Sequence, residues 1–125
     1  MAVYENIKII SLELNAATVA QYVFVKMAAD HKVIEGAGDT DICVGVAQEA
    51  QAVVGGSIPV AIAGVSKIRV DSGAGVGHGN QLTSSNDGGA VAAVAGDMVH
   101  GIALEDGADD DIISMILYPS SQLLA

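Results

Sequence analysis

Short apolar runs and two-residue alternation dominate this chain, and helical periodicity is weak almost everywhere. Residues 7–14, "IKIISLEL", alternate with one slip at Ile9 and Ile10, which indicates a strand with a bulge. "SIPVAIAGVSKIRV" is typical of two strands bent at Gly64, and Pro59 predicts an edge strand or a strand that carries the proline near its start. Further strands are predicted at "TVAQYVFVKMA", "DICVGVAQ", "QLTSS", "AVAAV", "DMVHGIALE" and "IISMILY". The pattern predicts an all-β fold of seven to nine short strands, with at most a short helix.

An internal echo connects two of the predicted strands. The segment "DICVGVAQEA" (residues 41–50) aligns with "DMVHGIALED" (residues 97–106) at an offset of 56. The matched positions are Asp41 with Asp97, Gly45 with Gly101, Ala47 with Ala103 and Glu49 with Glu105. After a turn, each copy leads into another β-rich run, "SIPVAI" or "DIISMI". Because the first turn, "QEAQAVVGGS", carries one carboxylate, the aspartates of the second turn are not expected to be required for the fold.

Composition indicates an aliphatic core and an acidic surface. Hydrophobic residues make up 51% of the 125 residues but aromatic residues only 3%, so Val, Ile, Leu and Ala must fill the core of a single domain. The mean hydropathy of +0.48 predicts that some apolar surface is buried against other chains. The net charge of -10 argues against binding to nucleic acid or to anionic membranes, which require basic residues.

Several features indicate a soluble protein made in a reducing cytoplasm. The single Cys43 cannot form an intrachain disulfide, and its apolar neighbours predict a small buried side chain. Glu5 and Lys8 stand where the apolar region of a secretory signal would begin. The most apolar window is interrupted by Gln21 and Lys26, and is shorter than the ~20 residues that span a bilayer.

The acidic stretch "HGIALEDGADDDI" has the composition of a calcium loop but not its spacing. Counted from Asp106, position 3 of the loop, which should be a ligand, is Ala108, and no glutamate closes the loop. An exposed acidic turn between two strands is the preferred interpretation. The three histidines His31, His78 and His100 are far apart, with no partner at metal-ligand spacing. No metal or other cofactor is therefore predicted.

Motifs for phosphate binding and for nucleophilic catalysis are missing as well. The run "GAGVGHGN" fails the dinucleotide fingerprint in both registers, and no lysine follows a glycine as a phosphate-binding loop requires. There is no Gly-x-Ser-x-Gly elbow. His100 stands opposite Val44 in the echo, which indicates a rim or interface position. The sequence singles out no catalytic residue, and no enzymatic activity is predicted.

Three segments, taken in their order along the sequence, resemble a known family. They are "FVKMAADHKVIEGAGDTDICVGVAQEA", "GGSIPVAIAGVSKIRVDSGAGVGHGNQLTSSNDGGAVAA" and "GDMVHGIALEDGADDDIISMILY". They contain a Gly-Val-Ala strand, a Gly-bounded strand pair ending in "GV", a "G-x-x-L" step with a "DGG" turn, and a closing "GIALE". In this order, from about Phe24 to Tyr118, the chain resembles the capsid cement, or head decoration, proteins of tailed phages.

The resemblance implies a fold, a location and partners. The fold would be a small β-barrel or β-tulip-like domain, similar to the phage lambda decoration protein, with an N-terminal arm at residues 1–14 and one decoration domain at residues 15–125. Such proteins form homotrimers on the outer surface of the phage head, where they cement neighbouring major capsid subunits after expansion. By position, the arm offers Val3, Tyr4, Ile7 and Ile9 as capsid contacts.

Two other functions compete with capsid cementing. A virion-borne adhesion or carbohydrate-binding module would need aromatic platforms, and only Tyr4, Tyr22, Phe24 and Tyr118 are present. A hydrolytic or metal-dependent enzyme would have to use the acidic turn. Both remain as alternatives to a structural virion protein.

Overall fold

The computed structural model describes Ala2 and residues 5–124, except for the side chains of Ser120 and Ser121. The described residues form nine strands and no helix, which confirms the all-β prediction. The strands are β1 (Glu5–Leu14), β2 (Phe24–Ala29), β3 (Lys32–Glu35), β4 (Cys43–Ala47), β5 (Ser57–Arg69), β6 (Gln81–Ser84), β7 (Ala90–Ala92), β8 (Met98–Ala103) and β9 (Ile112–Leu123).

The strand β1 closes a ring at one end of the sheet. The strand order is β1-β3-β2-β4-β5-β9-β8-β6-β7, and β1 also pairs with β5. Its contact with β3 is parallel, at Glu13 and Leu14, whereas its contact with β5 is antiparallel and extends along most of β1. The strands β1, β3, β2, β4 and the first half of β5 are therefore hydrogen-bonded in a closed circle, which we call the first ring.

The second half of β5 belongs to another ring. Residues 64–69 pair antiparallel with β9, β9 pairs with β8, and β8 leads through β6 to β7. A parallel bridge from Val70 to Ala90 returns from the end of β5 to β7, and the N–H of Asp71 donates to the carbonyl of Ala90 at 2.9 Å. We call this circle the second ring. The 13-residue β5 passes from one ring into the other.

The two rings are copies of one structural unit. In the first ring Val46 lies opposite Ala61, and in the second ring Ile102 lies opposite Ile116. The pairing of β2 with β3 and that of β6 with β7 also correspond, at an offset of 57 residues: Met27 lies opposite Val33, and Ser84 opposite Ala90. The echo of the sequence is thus the visible part of a repeat that extends through every strand.

Backbone hydrogen bonds outside the strands follow the same repeat. Val19 and Gln51 exchange two N–H to carbonyl bonds in the first ring, as Val76 and Gly107 do in the second. The carbonyl of Ala47 accepts from Tyr22, and that of its counterpart Ala103 accepts from Gly79. These bonds fix the loops that lead into β2 and β6. The repeat is therefore present in connections as well as in strands.

Each ring encloses an aliphatic core, as the composition predicts. The core of the first ring contains Leu12, Leu14, Val19, Val23, Val25, Val33, Ala47, Ile58 and Val60. Counterparts of eight of these residues lie in the larger second cluster: Ile68, Val70, Val76, Leu82, Ala90, Ala103, Ile113 and Met115. That cluster also takes in Phe24, Cys43, Val46 and Ala61 of the first ring. The second core is therefore continuous with the interface between the rings.

The predicted strands are found, although several of their bounds differ and one further strand is present. β2 begins only at Phe24, because residues 20–23 form a turn in which Tyr22 has a φ of 60°. β3 was not predicted, since it has four residues and follows the tight turn at His31. The register of β1 shifts on both sides of Lys8, whereas Ile9 and Ile10, where the bulge was expected, pair regularly with Ala61 and Val60.

The bend that was expected at Gly64 lies inside a continuous β5. Gly64 has a φ of +92°, and a Cβ there would overlap the backbone carbonyl of Asn6. β4 pairs with β5 only up to Ala61, and β9 pairs with it from Gly64 onward, where Val65 still also pairs with Glu5 of β1. Pro59 is the third residue of β5, close to the start of its strand as expected.

The glycines of the echo allow two strands to approach closely. A Cβ on Gly45 would overlap the carbonyl oxygen of Ala61, and a Cβ on Gly101 would overlap that of Ile116. Ala61 and Ile116 occupy the same position in the two rings. Glycine is therefore required at both positions by the same contact.

Candidate interaction surface

The predicted capsid contacts lie at or before the first strand. Val3 and Tyr4 are outside the described residues. Ile7 is half-buried, and Ile9 is 47% exposed on β1. Residues 5–14, which were predicted as part of an arm, form β1 and are paired with β5. Whether this segment also contacts another protein stays a prediction.

One side of β1 is open over most of its length. In the described chain, β3 pairs with β1 only at Glu13 and Leu14, so the preceding residues present backbone donors and acceptors on that side. An extended segment of a partner protein can add to such an edge through main-chain hydrogen bonds. The exposed Ile9 and Ile10 lie on the same part of the strand. The open edge and the apolar side chains next to it can together contact another protein.

The acidic stretch is a turn between β8 and β9, as the sequence predicts. Asp106 Oδ1 accepts a hydrogen bond from the backbone N–H of His78 at 2.8 Å and lies 2.8 Å from His78 Nδ1. These two contacts with His78 lower the pKa of Asp106 below its ordinary value. Asp106 thus ties the glycine-rich loop "GAGVGHGN" to the end of β8.

The three consecutive aspartates differ in what they do. Asp110 has a φ of +68° and replaces Gly55 of the first ring, which has a φ of +81°. Aspartate tolerates this left-handed conformation better than most residues. Asp111 Oδ2 accepts from the N–H of Ala108 at 2.9 Å and closes the turn. Asp110 also lies 3.5 Å from the guanidinium of Arg69. Nothing in the structure explains Asp109.

The acidic turn borders an open depression with no metal-ligand cluster. The depression is lined on one side by Gly73, Ala74 and Gly75, and on the other by residues 106–109 and Asp111. No group of three or more His, Cys, Asp or Glu side chains in the described part of the chain is placed to hold a metal ion. The described chain also contains no helix long and apolar enough to cross a membrane.

Two ionisable side chains are buried where the rings meet. His100 packs against the ring of Phe24 with centroids 4.9 Å apart, and burial lowers its pKa to about 4. Burial raises the pKa of the Cys43 thiol to about 12, with a smaller contribution from the nearby Asp41 carboxylate. The prediction that Cys43 is a small buried side chain is confirmed. His100 lies at an interface, as the echo indicated, but the interface is inside the chain.

Sequence reasoning missed several exposed apolar positions. They are distributed over both rings and include Ile10, Met27, Ile42, Val53, Val54, Val94, Leu104, Ile112, Ile116 and Leu123. The only sequence signal for them was the high mean hydropathy, which does not locate them. Their positions become informative only when the two rings are compared.

The open strand edge and the exposed aliphatic residues are typical of surfaces that contact other proteins. Residues 5–117 match the family model described as phage cement protein. The chain belongs to the phage cement protein family. It is therefore a structural component of a phage virion, as the resemblance of its three segments implied.

A solved phage structure has a similar fold. The chain is similar to the head fiber gp8.5 N base in bacteriophage phi29, with 21% sequence identity and a TM-score of 0.69. The similarity covers 92% of this chain and 98% of that one. None of the curated proteins matches the sequence. At this identity the phi29 structure supports the fold and leaves the role of individual residues open.

Proposed function

We propose that this protein binds the outer surface of a bacteriophage head and cements neighbouring major capsid subunits. The observation that carries the proposal is the match to the phage cement family over residues 5–117, which spans both rings. In this role the chain is not an enzyme and binds neither nucleic acid nor membrane. Its partners are the major capsid protein and further copies of itself, most simply as a homotrimer. It is made in the host cytoplasm and added to the expanded head.

Cementing requires rigidity and many repeated contacts. The two closed rings share β5 and a buried apolar cluster, and relative movement of the rings would expose that cluster to water. Contacts that are weak one at a time become strong when an oligomer engages several capsid subunits at once. The net charge of -10 keeps the decorated particle soluble and gives the protein no attraction to packaged DNA. Structure and composition therefore support a mechanical role.

The first strand is the proposed contact with the capsid. Its open edge before Glu13 offers main-chain groups, and Ile9 offers an exposed apolar side chain next to that edge. Val3, Tyr4 and Ile7 complete the set of candidates. An extended segment of the major capsid protein that paired with β1 would be fixed in register by the side chains that alternate along it.

The test uses expanded capsids that lack the protein. Purified protein is mixed with them, and bound protein is measured by co-sedimentation over a range of concentrations. We expect saturation at a fixed number of copies per capsid and an increase in the temperature at which the capsids break open. Binding without saturation, or saturation without any gain in heat resistance, would contradict cementing.

A further inference from the structure

The contact between the two rings inside one chain has two sides. The first ring contributes Val46, Gln48 and Ala61, which we call face A; Val46 and Ala61 are fully buried. The second ring contributes face B, which consists of Ser66, Ser84 and Met98. Gln48 Nε2 donates to Ser66 Oγ at 3.0 Å, so the two faces are in direct contact.

Further hydrogen bonds confirm the position of face B. Ser84 is hydrogen-bonded to the thiol of Cys43, which lies three residues before Val46 on β4. The N–H of Met98 donates to the carbonyl of Asp39 at 2.8 Å. Ser66 and Ser84 are at most 1% exposed. The first ring therefore buries Ser66 and Ser84 of face B and leaves Met98 half-buried at its margin.

Because the rings are copies, each ring has both faces, and one face of each is left uncovered in the chain. Face A of the second ring consists of Ile102, Leu104 and Ile116, the counterparts of Val46, Gln48 and Ala61. Face B of the first ring consists of Ile10, Met27 and Ile42, the counterparts of Ser66, Ser84 and Met98. Each uncovered face therefore corresponds to a face of the other ring that is already paired inside the chain.

The uncovered faces are more apolar than the covered ones. Leu104 is 44% exposed where its buried counterpart is Gln48, and Met27 is 44% exposed where its buried counterpart is Ser84. Ile10 likewise replaces the buried Ser66. Exposure to water alone would favour the opposite arrangement, with the polar residues on the free faces. The free faces have the composition of surfaces that are covered in the assembled protein.

We propose that copies of this chain associate head to tail, with face A of one chain on face B of the next. The contact between chains then repeats the contact between the rings inside a chain. It uses two different surfaces, so it must close into a cyclic oligomer or continue as a filament. A closed oligomer agrees with the self-association in the proposed function, on which this inference rests. A second copy is the occupant because it alone carries the complementary face already seen inside the chain.

Two substitutions test the contact from its two sides. Leu104→Asp places a charge on face A of the second ring, and Ile42→Asp places one on face B of the first ring, where Ile42 is 67% exposed. Masses are measured by sedimentation equilibrium on the full chain. We expect the wild-type protein to have a whole multiple of the 12.6 kDa chain mass, above one, and each variant to be a monomer.

Mixing the two variants distinguishes head-to-tail association from any other kind. Each variant retains the face that the other lacks, so one intact junction can form between them. The two altered faces both carry aspartate and repel each other. We expect an equimolar mixture to give a dimer, with about twice the chain mass, and nothing larger. Formation of the dimer also shows that both variants are folded.

Controls separate this contact from general surface effects. Val54→Asp alters a valine outside both faces that is 64% exposed, close to the value for Ile42. Its counterpart in the second ring is already Asp109, and the substitution should leave the mass unchanged. Met27→Glu provides a second change on face B and should behave as Ile42→Asp does. A monomeric wild type, an oligomeric single variant or a mixture without dimer would overturn the proposal. Capsid binding is measured separately, so failure of cementing and failure of this contact give different results.

Discussion

At the scale of single residues, the repeat shows at which positions the local geometry requires one particular residue type. Asp41 and Asp97 each accept a backbone hydrogen bond just before β4 or β8, at 2.7 Å from Ala37 and 2.9 Å from Val94. Gly45 and Gly101 each face a carbonyl oxygen at which no side chain fits. These constraints kept the residues identical in both copies, and for that reason the echo was visible in the sequence.

The close approach at Gly101 gives a prediction for stability. Gly101→Ala should lower the free energy of unfolding by about 2–3 kcal/mol, because the added Cβ overlaps the carbonyl oxygen of Ile116 and forces β8 from β9. Denaturant unfolding measures the change. Gly38→Ala is the matched control, since a Cβ there meets nothing within 4 Å. Equal effects of both substitutions would show that the strands do not approach as described.

His100 gives a prediction for the dependence of stability on pH. Burial lowers its pKa to about 4 from an ordinary value of 6.5, so between these values the unfolded chain binds a proton that the folded chain does not. The contribution of His100 to the free energy of unfolding is therefore most favourable above pH 6.5. It decreases by up to about 3 kcal/mol as the pH falls towards 4. His100→Val, which copies Val44 of the first ring, should remove this slope in urea unfolding experiments. An unchanged slope would mean that other groups cause it.

Core residues explain why the rest of the repeat escaped detection in the sequence. Val33 has Ala90 as its counterpart, Val60 has Met115, and Leu14 has Val70. Any aliphatic residue of suitable volume fills such a position, so similarity there does not persist. The burial of Cys43 could be predicted because its neighbours in the sequence are apolar. The echo indicated an interface position for His100, but not that this interface lies between the rings, since that depends on Phe24, which is distant in the sequence.

At the scale of elements, alternation located most strands but not their closure into rings. The ring contacts of β1 with β3 and of Val70 with Ala90 are single short parallel pairings, which leave no pattern in the sequence. The bend at Gly64 was recognised, but its meaning was not: it separates the two roles of one strand. Short β3 was missed because four residues are too few for a reliable alternation.

The first strand gives the prediction for capsid binding. Ile9→Asp should weaken binding to expanded capsids by at least about tenfold, because it places a charge in a contact that must lose its water. Ile9 is 47% exposed, so the fold itself should be little affected. Saturation binding by co-sedimentation measures the change, with Val54→Asp as the control of equal charge. Unchanged binding of Ile9→Asp to capsids would show that the capsid contact does not include this part of β1.

At the scale of the whole molecule, duplication gives the protein its shape and its free surfaces. Two rings share β5, and the surface that holds them together recurs, uncovered and more apolar, at the outer side of each ring. Family membership identifies a virion protein, and the similar fold of the phi29 head fiber base agrees with that. Neither the sequence echo nor the composition could reveal the free faces, because they emerge only from the comparison of the rings.

Cryo-electron microscopy of expanded heads with and without the protein tests capsid cementing directly. We expect added density on the outer surface that touches at least two neighbouring major capsid subunits, with β1 at the capsid side. We also expect two ring-shaped units per chain in that density. Density that contacts a single capsid subunit, or none on the head surface, would rule out cementing.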